Sequence, residues 1–241
     1  LFIVTGGFLG GFVSGLSGFG TGVTALPLWL FAVPPSTAAP LVVICSIASQ
    51  LQTLPSIWHS IDWRRSIPFI IGGLVGVPIG VWLLPAVSPS RFKLLVAILL
   101  LVYCAFYISN GRNLALRWGG RLADGVVGLS GGVCGGLAGL SGPLPTVWAG
   151  LRGWNKEQRR GVFQSFNLSI LVLALILHGY AGLWGSDVAY ATLVALPGTV
   201  CGAWSGRRLY GRIDTLSFER VVVGVLFVAA MGILIPAVTR L

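Results

Sequence analysis

Long apolar stretches with few charged positions alternate with short basic loops along the 241-residue chain. An α-helix needs about 20 consecutive apolar residues to cross a bilayer. Six stretches of about this length predict spanning helices, three in each half of the chain: residues 37–58, 66–85, 92–109, 161–178, 188–206 and 221–238. The pattern therefore predicts an all-α polytopic membrane protein.

Two further apolar stretches, residues 2–33 and 122–151, are interrupted by glycine. Glycine costs about 1 kcal/mol relative to alanine inside a helix, so the sequence Gly-Leu-Ser-Gly predicts a break in each stretch. A second short helix is expected after each break, at 21–31 and 145–151. Broken apolar segments at corresponding places in two halves point to the binding site of a transporter. The two stretches match 124 positions apart, with Gly7, Gly11, Gly15, Leu16, Ser17 and Gly18 aligned on Gly131, Gly135, Gly139, Leu140, Ser141 and Gly142.

These matches indicate a duplicated unit, with a first repeat at 1–110, a basic linker at 111–121 and a second repeat at 122–241. If both broken elements cross the membrane, the lysines and arginines divide six to ten between the two faces. If both re-enter on the face they came from, the division is three to thirteen. The positive-inside tendency favours re-entrance, and three crossings per half then make the two repeats inverted. Eight ordinary crossings are the alternative.

Composition supports a membrane protein and excludes a soluble one. The chain is 55% hydrophobic and 9% charged, with a mean hydropathy of +0.90, whereas globular chains carry about 25% charged residues. The net charge of +10 lies in short loops, where lysine and arginine set orientation, so we expect a lipid bilayer and no nucleic acid as partner. The sequence contains no cofactor-binding or hydrolytic signature, and the four cysteines lack paired spacing. We therefore expect no enzyme, no cofactor and no metal site.

The two breaks are candidates for anion binding. A helix N-terminus carries unsatisfied N–H groups and about half a positive charge. Two such ends facing each other would hold a small oxyanion, although Pro143 has no N–H and makes the second end poorer. The alternative is that the glycines only allow helices to pack closely. The candidate backbone donors are Ser17, Gly18, Phe19, Gly20, Ser141 and Gly142.

Polar side chains on the helices that follow the breaks would complete such a site. They are Ser49 and Gln50 in the first half, and Gln164 and Asn167 in the second. The alternative is that these residues hydrogen-bond one helix to another.

Five residues are candidates for gating or coupling, because ionisable or reactive groups inside a membrane are rare. They are Asp124, His178, Cys45, Cys134 and Arg160. The alternatives are an interfacial position for the acid and the histidine, simple packing for the thiols, and an anchoring role for the arginine.

The paired glycine openings, Ile61-Asp62-Trp63-Arg64 and the Gly76-x-Pro78-x-Gly80 helix together resemble the sulfite exporter TauE/SafE family. The resemblance covers essentially the whole chain. It implies a multi-pass inner-membrane permease that moves sulfite, sulfoacetate or related sulfur-containing anions outward. The chain departs from the pattern at 183–187, which replaces a basic loop, and at 159–161, where arginines stand in place of small residues.

The sequence leaves other functions and assemblies open. An anion channel is one alternative to a carrier that works by alternating access. A membrane-embedded accessory protein that handles sulfur or a cofactor without transporting solute is another. A homodimer is also compatible with the sequence.

Overall fold

The computed structural model describes residues 1–18, 20–56, 61–109, 119–154, 156–209, 223–224, 226–227 and 230–234. Over these ranges the chain is helical, as the sequence predicts. Short 3-10 turns, Leu54–Ser56 and Leu84–Ala86, follow the third and fourth helices. The helices are α1 (Phe2–Ser17), α2 (Thr21–Trp29), α3 (Pro35–Thr53), α4 (Trp63–Leu83), α5 (Pro89–Ile108), α6 (Gly120–Ala138), α7 (Pro143–Leu151), α8 (Lys156–Tyr180) and α9 (Ser186–Leu209).

Four segments of the described chain are long and apolar enough to cross a membrane. They coincide with four of the six predicted crossings. The predicted crossing at 37–58 corresponds to α3, which is richer in polar residues. Half of the sixth, at 221–238, and most of the basic linker lie outside the described residues. The four segments are Trp63–Ala86, Pro89–Phe106, Gly161–Tyr180 and Ser186–Leu209.

Both broken elements are helical hairpins. In the first, Trp29 at the end of α2 donates a 3.0 Å hydrogen bond to the carbonyl of Ile3 near the start of α1. In the second, Trp148 in α7 donates a 2.7 Å bond to Oδ1 of Asp124 near the start of α6. In each case the short helix therefore runs back along the long one.

The two breaks fall at different positions in the aligned motifs. In the first copy Gly15 to Ser17 remain helical, and Gly18 takes the left-handed conformation that ends α1, with φ 83°. In the second copy α6 already ends at Ala138, and Gly139 takes that conformation, with φ 68°. Both breaks therefore fall within Gly-Leu-Ser-Gly, as predicted, at its last glycine in the first copy and at its first glycine in the second, since either glycine can cap a helix. Helix α2 begins at Thr21, as predicted, whereas α7 begins two residues earlier than predicted, at Pro143, because proline is well suited to the first helical position.

The glycine spacing brings two helix pairs into backbone contact. A Cβ atom added at Gly11 of α1 would overlap the carbonyl of Thr199 in α9, and one at Gly132 of α6 would overlap the carbonyl of Gly73 in α4. Close packing therefore does account for the glycines along α1 and α6, whereas Gly18 and Gly139 at the breaks also have a left-handed conformation that favours glycine. The same contacts recur one turn apart, through Gly7, Gly11 and Gly15 on α9 and through Gly128, Gly132 and Gly136 on α4.

Helices α3 and α8 lie between these two pairs. Helix α3 contacts α1, α2, α6, α8 and α9, and α8 contacts α3, α4, α6 and α7. Each follows one of the hairpins in the chain. Both are therefore placed to present polar side chains to the hairpin tips.

Residues from several basic segments meet at one end of the bundle. The guanidinium of Arg65 lies 5.4 Å from the ring centre of Trp154. Arg207 donates a 3.0 Å hydrogen bond to the carbonyl of Gln52 near the end of α3. This basic end therefore holds the start of α4 and the ends of α3 and α9.

Candidate functional site

A small cavity lies between the two hairpin tips and the helices α3 and α8. No charged residue is found among the described residues that line it. Its space holds about one water molecule, so a larger guest requires the helices to move apart. The lining residues are Gly20, Gly22, Val23, Ser46, Gln50, Gly139, Leu140, Ser141, Gly142, Pro143, Asn167 and Leu171.

The N-termini of α2 and α7 both border this cavity. Gly20 is the N-cap of α2 and Pro143 is the first residue of α7. A Cβ atom added at Gly22 would lie 2.8 Å from the carbonyl oxygen of Gly139, so the two tips touch. The first N–H groups of a helix have no partner within the helix, and they carry its positive end. The positive ends of two short helices therefore border the cavity, and its described wall contains no cationic side chain.

Asn167 joins α8 to the second tip. Its Oδ1 accepts a 2.8 Å hydrogen bond from the hydroxyl of Ser141, and both side chains are buried. Because an amide carries separate acceptor and donor ends, the NH₂ group of Asn167 remains a donor beside the cavity.

Gln50 is the cavity residue with an unused polar group. Its side chain is 2% exposed, and Oε1 has no hydrogen-bond partner in the described part of the chain. A buried polar group without a partner costs roughly 1–3 kcal/mol. A ligand that donates a hydrogen bond to Oε1 would remove this cost.

Ser49 and Gln164 hold helices together and do not line the cavity. The Ser49 hydroxyl lies 3.0 Å from that of Ser14 and 2.8 Å from that of Thr21, which joins α3 to both helices of the first hairpin. The Gln164 amide donates to the carbonyl of Gln50 at 3.2 Å, and also to the hydroxyl of Thr53. These two residues therefore hydrogen-bond one helix to another, which is the alternative that the sequence left open to direct binding of the anion.

The predicted cradle is displaced at the first tip. The Gly18 amide donates a 2.7 Å hydrogen bond to Ser14, and the Ser17 hydroxyl donates a 2.8 Å bond to Val13. Neither residue lines the cavity, because α1 continues through Ser17 and uses these donors itself. Gly20 takes their place on the wall, and Phe19 lies outside the described residues.

Most of the gating candidates are buried away from the cavity. His178 is fully buried, with Nε2 2.8 Å from the carbonyl of Gly136. Cys45 is buried and Cys134 partly buried, and both belong to an apolar cluster of side chains. The side chain of Arg160 lies outside the described residues.

Asp124 belongs to a network that closes the second hairpin at its base. Besides the bond from Trp148, its Oδ1 lies 3.8 Å from the guanidinium of Arg152. The Arg152 guanidinium in turn lies 5.8 Å from the Trp148 ring centre. Asp124 therefore links the first turns of α6 to α7 and Arg152, and it does not line the cavity.

Sequence reasoning included Ser46 among the polar residues of the helix after the first break, but it did not single out Leu171, which helical spacing would have found. Ser46 lies four residues before Gln50, and Leu171 lies four residues after Asn167. Residues four apart share a helix face, so each pair reaches the same cavity. Gly22 and Leu140 lie on the cavity wall because the two hairpin tips touch. The spacing of residues within one segment does not predict that contact.

Comparison with known proteins identifies the family of this chain. A model of the family described as Sulfite exporter TauE/SafE matches residues 3–233. A curated protein of Cupriavidus necator strain H16, named "Probable sulfite/organosulfonate exporter TauE", is 28% identical over 234 residues. That alignment covers 93% of this chain and 89% of the relative. No solved structure matches the chain.

Proposed function

Because the chain belongs to the sulfite exporter TauE/SafE family, we propose that it is a secondary transporter that exports sulfite or a related sulfur-containing anion such as sulfoacetate. The printed name of its Cupriavidus relative points to the same class of substrate. We place the protein in the inner membrane as a multi-pass permease. The observation that carries the proposal is the cavity where both hairpin tips meet the polar side chains of α3 and α8.

The anion site is assigned to that cavity. The free N–H groups at the start of α2 and those of Ser141 and Gly142 would bind oxygen atoms of the anion. The NH₂ groups of Gln50 and Asn167 would add side-chain donors. Several donors around the cavity suit this role, because an oxyanion presents several acceptor atoms in different directions.

Two inverted repeats with re-entrant hairpins are part of this proposal. Helix α1 runs parallel to α9, since Gly7 meets Ala195 and Gly15 meets Ala203. Helix α6 runs parallel to α4 in the same way. Because α9 ends and α4 begins at the basic end, α1 and α6 run in opposite directions. The hairpins would then enter the bilayer from opposite faces, as in transporters built from inverted repeats.

The small size of the cavity and the packing around it support alternating access as the proposed mechanism. The cavity is too small for a sulfur oxyanion in this conformation, so one side of its wall has to move. The backbone contacts of α1 with α9, and of α4 with α6, favour movement of each pair as a unit. Rocking of one pair against the other would open the cavity to each face in turn.

Counterflow of sulfite in proteoliposomes tests the proposal. Saturable exchange, inhibited by sulfonates, is expected for a carrier. Conductance without saturation would indicate a channel. An absence of flux from folded protein would indicate an accessory role.

A pair of matched variants tests the site. Gln50→Leu should abolish exchange, whereas Gln52→Leu should preserve it, because Gln52 lies on the same helix but outside the cavity. Normal exchange by both Gln50→Leu and Asn167→Leu would show that the anion binds elsewhere.

A further inference from the structure

A second and larger cavity opens on the outside of the bundle, between α4 and α6. It shares no lining residue with the cavity at the hairpin tips. Four of its apolar side chains, those of Ile67, Ile71, Leu122 and Val126, are between 48% and 88% exposed. We call it the α4–α6 groove, and it is lined by Arg64, Ile67, Pro68, Ile71, Gly72, Arg121, Leu122, Gly125, Val126 and Leu129.

The groove exists because of the glycine packing beneath it. A Cβ atom added at Gly72 would overlap the carbonyl of Gly125, so the two backbones touch and no side chain fills the floor. Apolar side chains on both helices form the walls. At 1.5 Å per residue, the walls run for roughly 10 Å along the bundle. A narrow groove with apolar walls is suited to binding a hydrocarbon chain.

Two arginines stand at the mouth of the groove, at the basic end of the bundle. Arg64 and Arg121 are each the second residue of their helix, and both are exposed. The nearby acid, Asp62, is already paired with Arg65 at 3.2 Å. Neither mouth arginine has an acidic partner in the described part of the chain. The N-termini of α4 and α6 add partial positive charge at the same level.

We propose that the α4–α6 groove is a binding site for an anionic phospholipid. Arg64 and Arg121 would hold the headgroup phosphate, and an acyl chain would lie along the apolar walls. Guanidinium groups bind phosphate in fork-like pairs of hydrogen bonds, and basic pockets between membrane helices bind anionic headgroups. A second copy of the chain fits the groove less well, because a protein with sixteen basic and six acidic residues brings little negative charge to two arginines.

Lipid titration of the purified full-length protein, followed by native mass spectrometry, tests the site. The probe is phosphatidylglycerol, and phosphatidylcholine with the same acyl chains is the neutral comparison. Phosphatidylglycerol should bind with higher affinity. One arginine near a membrane surface is worth about fivefold in affinity, so Arg64→Gln with Arg121→Gln should weaken binding roughly thirtyfold.

Two controls separate this site from general charge and from folding. Arg91→Gln with Lys93→Gln removes the same charge at the start of α5, at the other end of the bundle, and should leave binding within about twofold. Val126→Trp fills the groove while both arginines remain, and should also weaken binding.

Unchanged affinity in folded double-arginine and Val126→Trp variants would overturn the proposal. Equal affinity for the two lipids would do the same, as would crosslinking that places a second copy in the groove. If free inorganic phosphate displaces phosphatidylglycerol as effectively as added phosphatidylglycerol does, the arginines bind phosphate alone and the proposal of a lipid site is overturned.

Discussion

The hydroxyl of Ser141 donates a 2.8 Å hydrogen bond to Oδ1 of Asn167, and both residues line the cavity at the hairpin tips. The bond joins the second hairpin to the helix that follows it. The oxygen of the Asn167 amide is thereby used within the protein, whereas its NH₂ group has no hydrogen-bond partner among the described residues. The proposed site depends on that donor.

Asn167→Asp is the sharpest test of this arrangement. The carboxylate still accepts the bond from Ser141, but it replaces a donor with a negative charge beside the anion. Loss of a hydrogen bond to a charged group alone weakens binding by roughly tenfold to a hundredfold, so sulfite counterflow should become undetectable or nearly so. Gln52→Glu makes the same chemical change outside the cavity and should exchange sulfite normally. Normal exchange by folded Asn167→Asp protein would remove Asn167 from the site.

Gln50 and Gln164 should respond in opposite ways to replacement by leucine. Gln50 loses no described side-chain hydrogen bond, so Gln50→Leu should retain its thermal stability while transport fails. Gln164 donates to the Gln50 carbonyl and to Thr53, so Gln164→Leu should destabilise the protein by about 1–3 kcal/mol. Thermal unfolding and counterflow, measured on both variants, check the contrast. A destabilised Gln50→Leu variant would mean that this amide is structural.

The sequence predicted the helical architecture because apolar length and glycine interruption are local signals. The broken stretches at 2–33 and 122–151 are visible in this way, and so is the polar character of the helices that follow them. The motif Gly-Leu-Ser-Gly does not say which of its two glycines ends the helix, since either can act as the cap: Gly18 does so in the first copy and Gly139 in the second. The same limit applies to function. Ser49 and Gln50 are adjacent polar residues, yet one bonds Ser14 and Thr21 while the other faces the cavity. Helix rotation decides this, and one helix alone does not determine its own rotation.

Gly132→Ala should destabilise the protein, and Gly125→Ala should not. Both glycines lie in α6. A Cβ atom at Gly132 would overlap the backbone of Gly73, whereas one at Gly125 would meet its nearest atom, the carbonyl oxygen of Pro68, at 3.6 Å. Overpacking costs about 1–3 kcal/mol, which exceeds the roughly 1 kcal/mol that alanine adds to a helix. Thermal unfolding of the two purified variants measures the difference, and equal stability would contradict the close α4–α6 contact.

The network at the base of the second hairpin should show energetic coupling. Asp124→Asn leaves an acceptor for Trp148 but removes the negative charge beside Arg152, whose side chain is 21% exposed. We expect a loss of about 1–3 kcal/mol, less than for a fully buried pair because water screens part of the interaction. Replacing Arg152 by methionine in the Asp124→Asn background should recover part of that loss, since no unpaired charge then remains. Additive effects in this double-mutant cycle would show that the pair does not interact.

The absence of a charged side chain from the described cavity wall predicts which anions bind best. The positive ends of α2 and α7 contribute about half a charge each, or about one charge together. A single negative charge is thereby matched, so sulfite would bind in its singly charged form, hydrogensulfite. A second charge on the same oxygen cluster would be buried without compensation, which is costly. Methanesulfonate should therefore inhibit sulfite counterflow more strongly than sulfate, although both present a compact set of oxygen atoms. Equal inhibition would contradict the charge argument while leaving transport itself intact.

A charge introduced at Gln50 should reverse this preference. Gln50→Lys places an ammonium group beside the two helix ends, so the wall would carry about two positive charges and would match a dianion. Sulfate should then gain in inhibition relative to methanesulfonate, and Gln52→Lys on the same helix should leave the ratio of the two inhibition constants unchanged. The ratio is a better measure than either constant, because a general change in folding or insertion affects both anions equally. If the ratio stays the same in Gln50→Lys, the anion does not approach this residue, and the charge of the wall does not select the substrate.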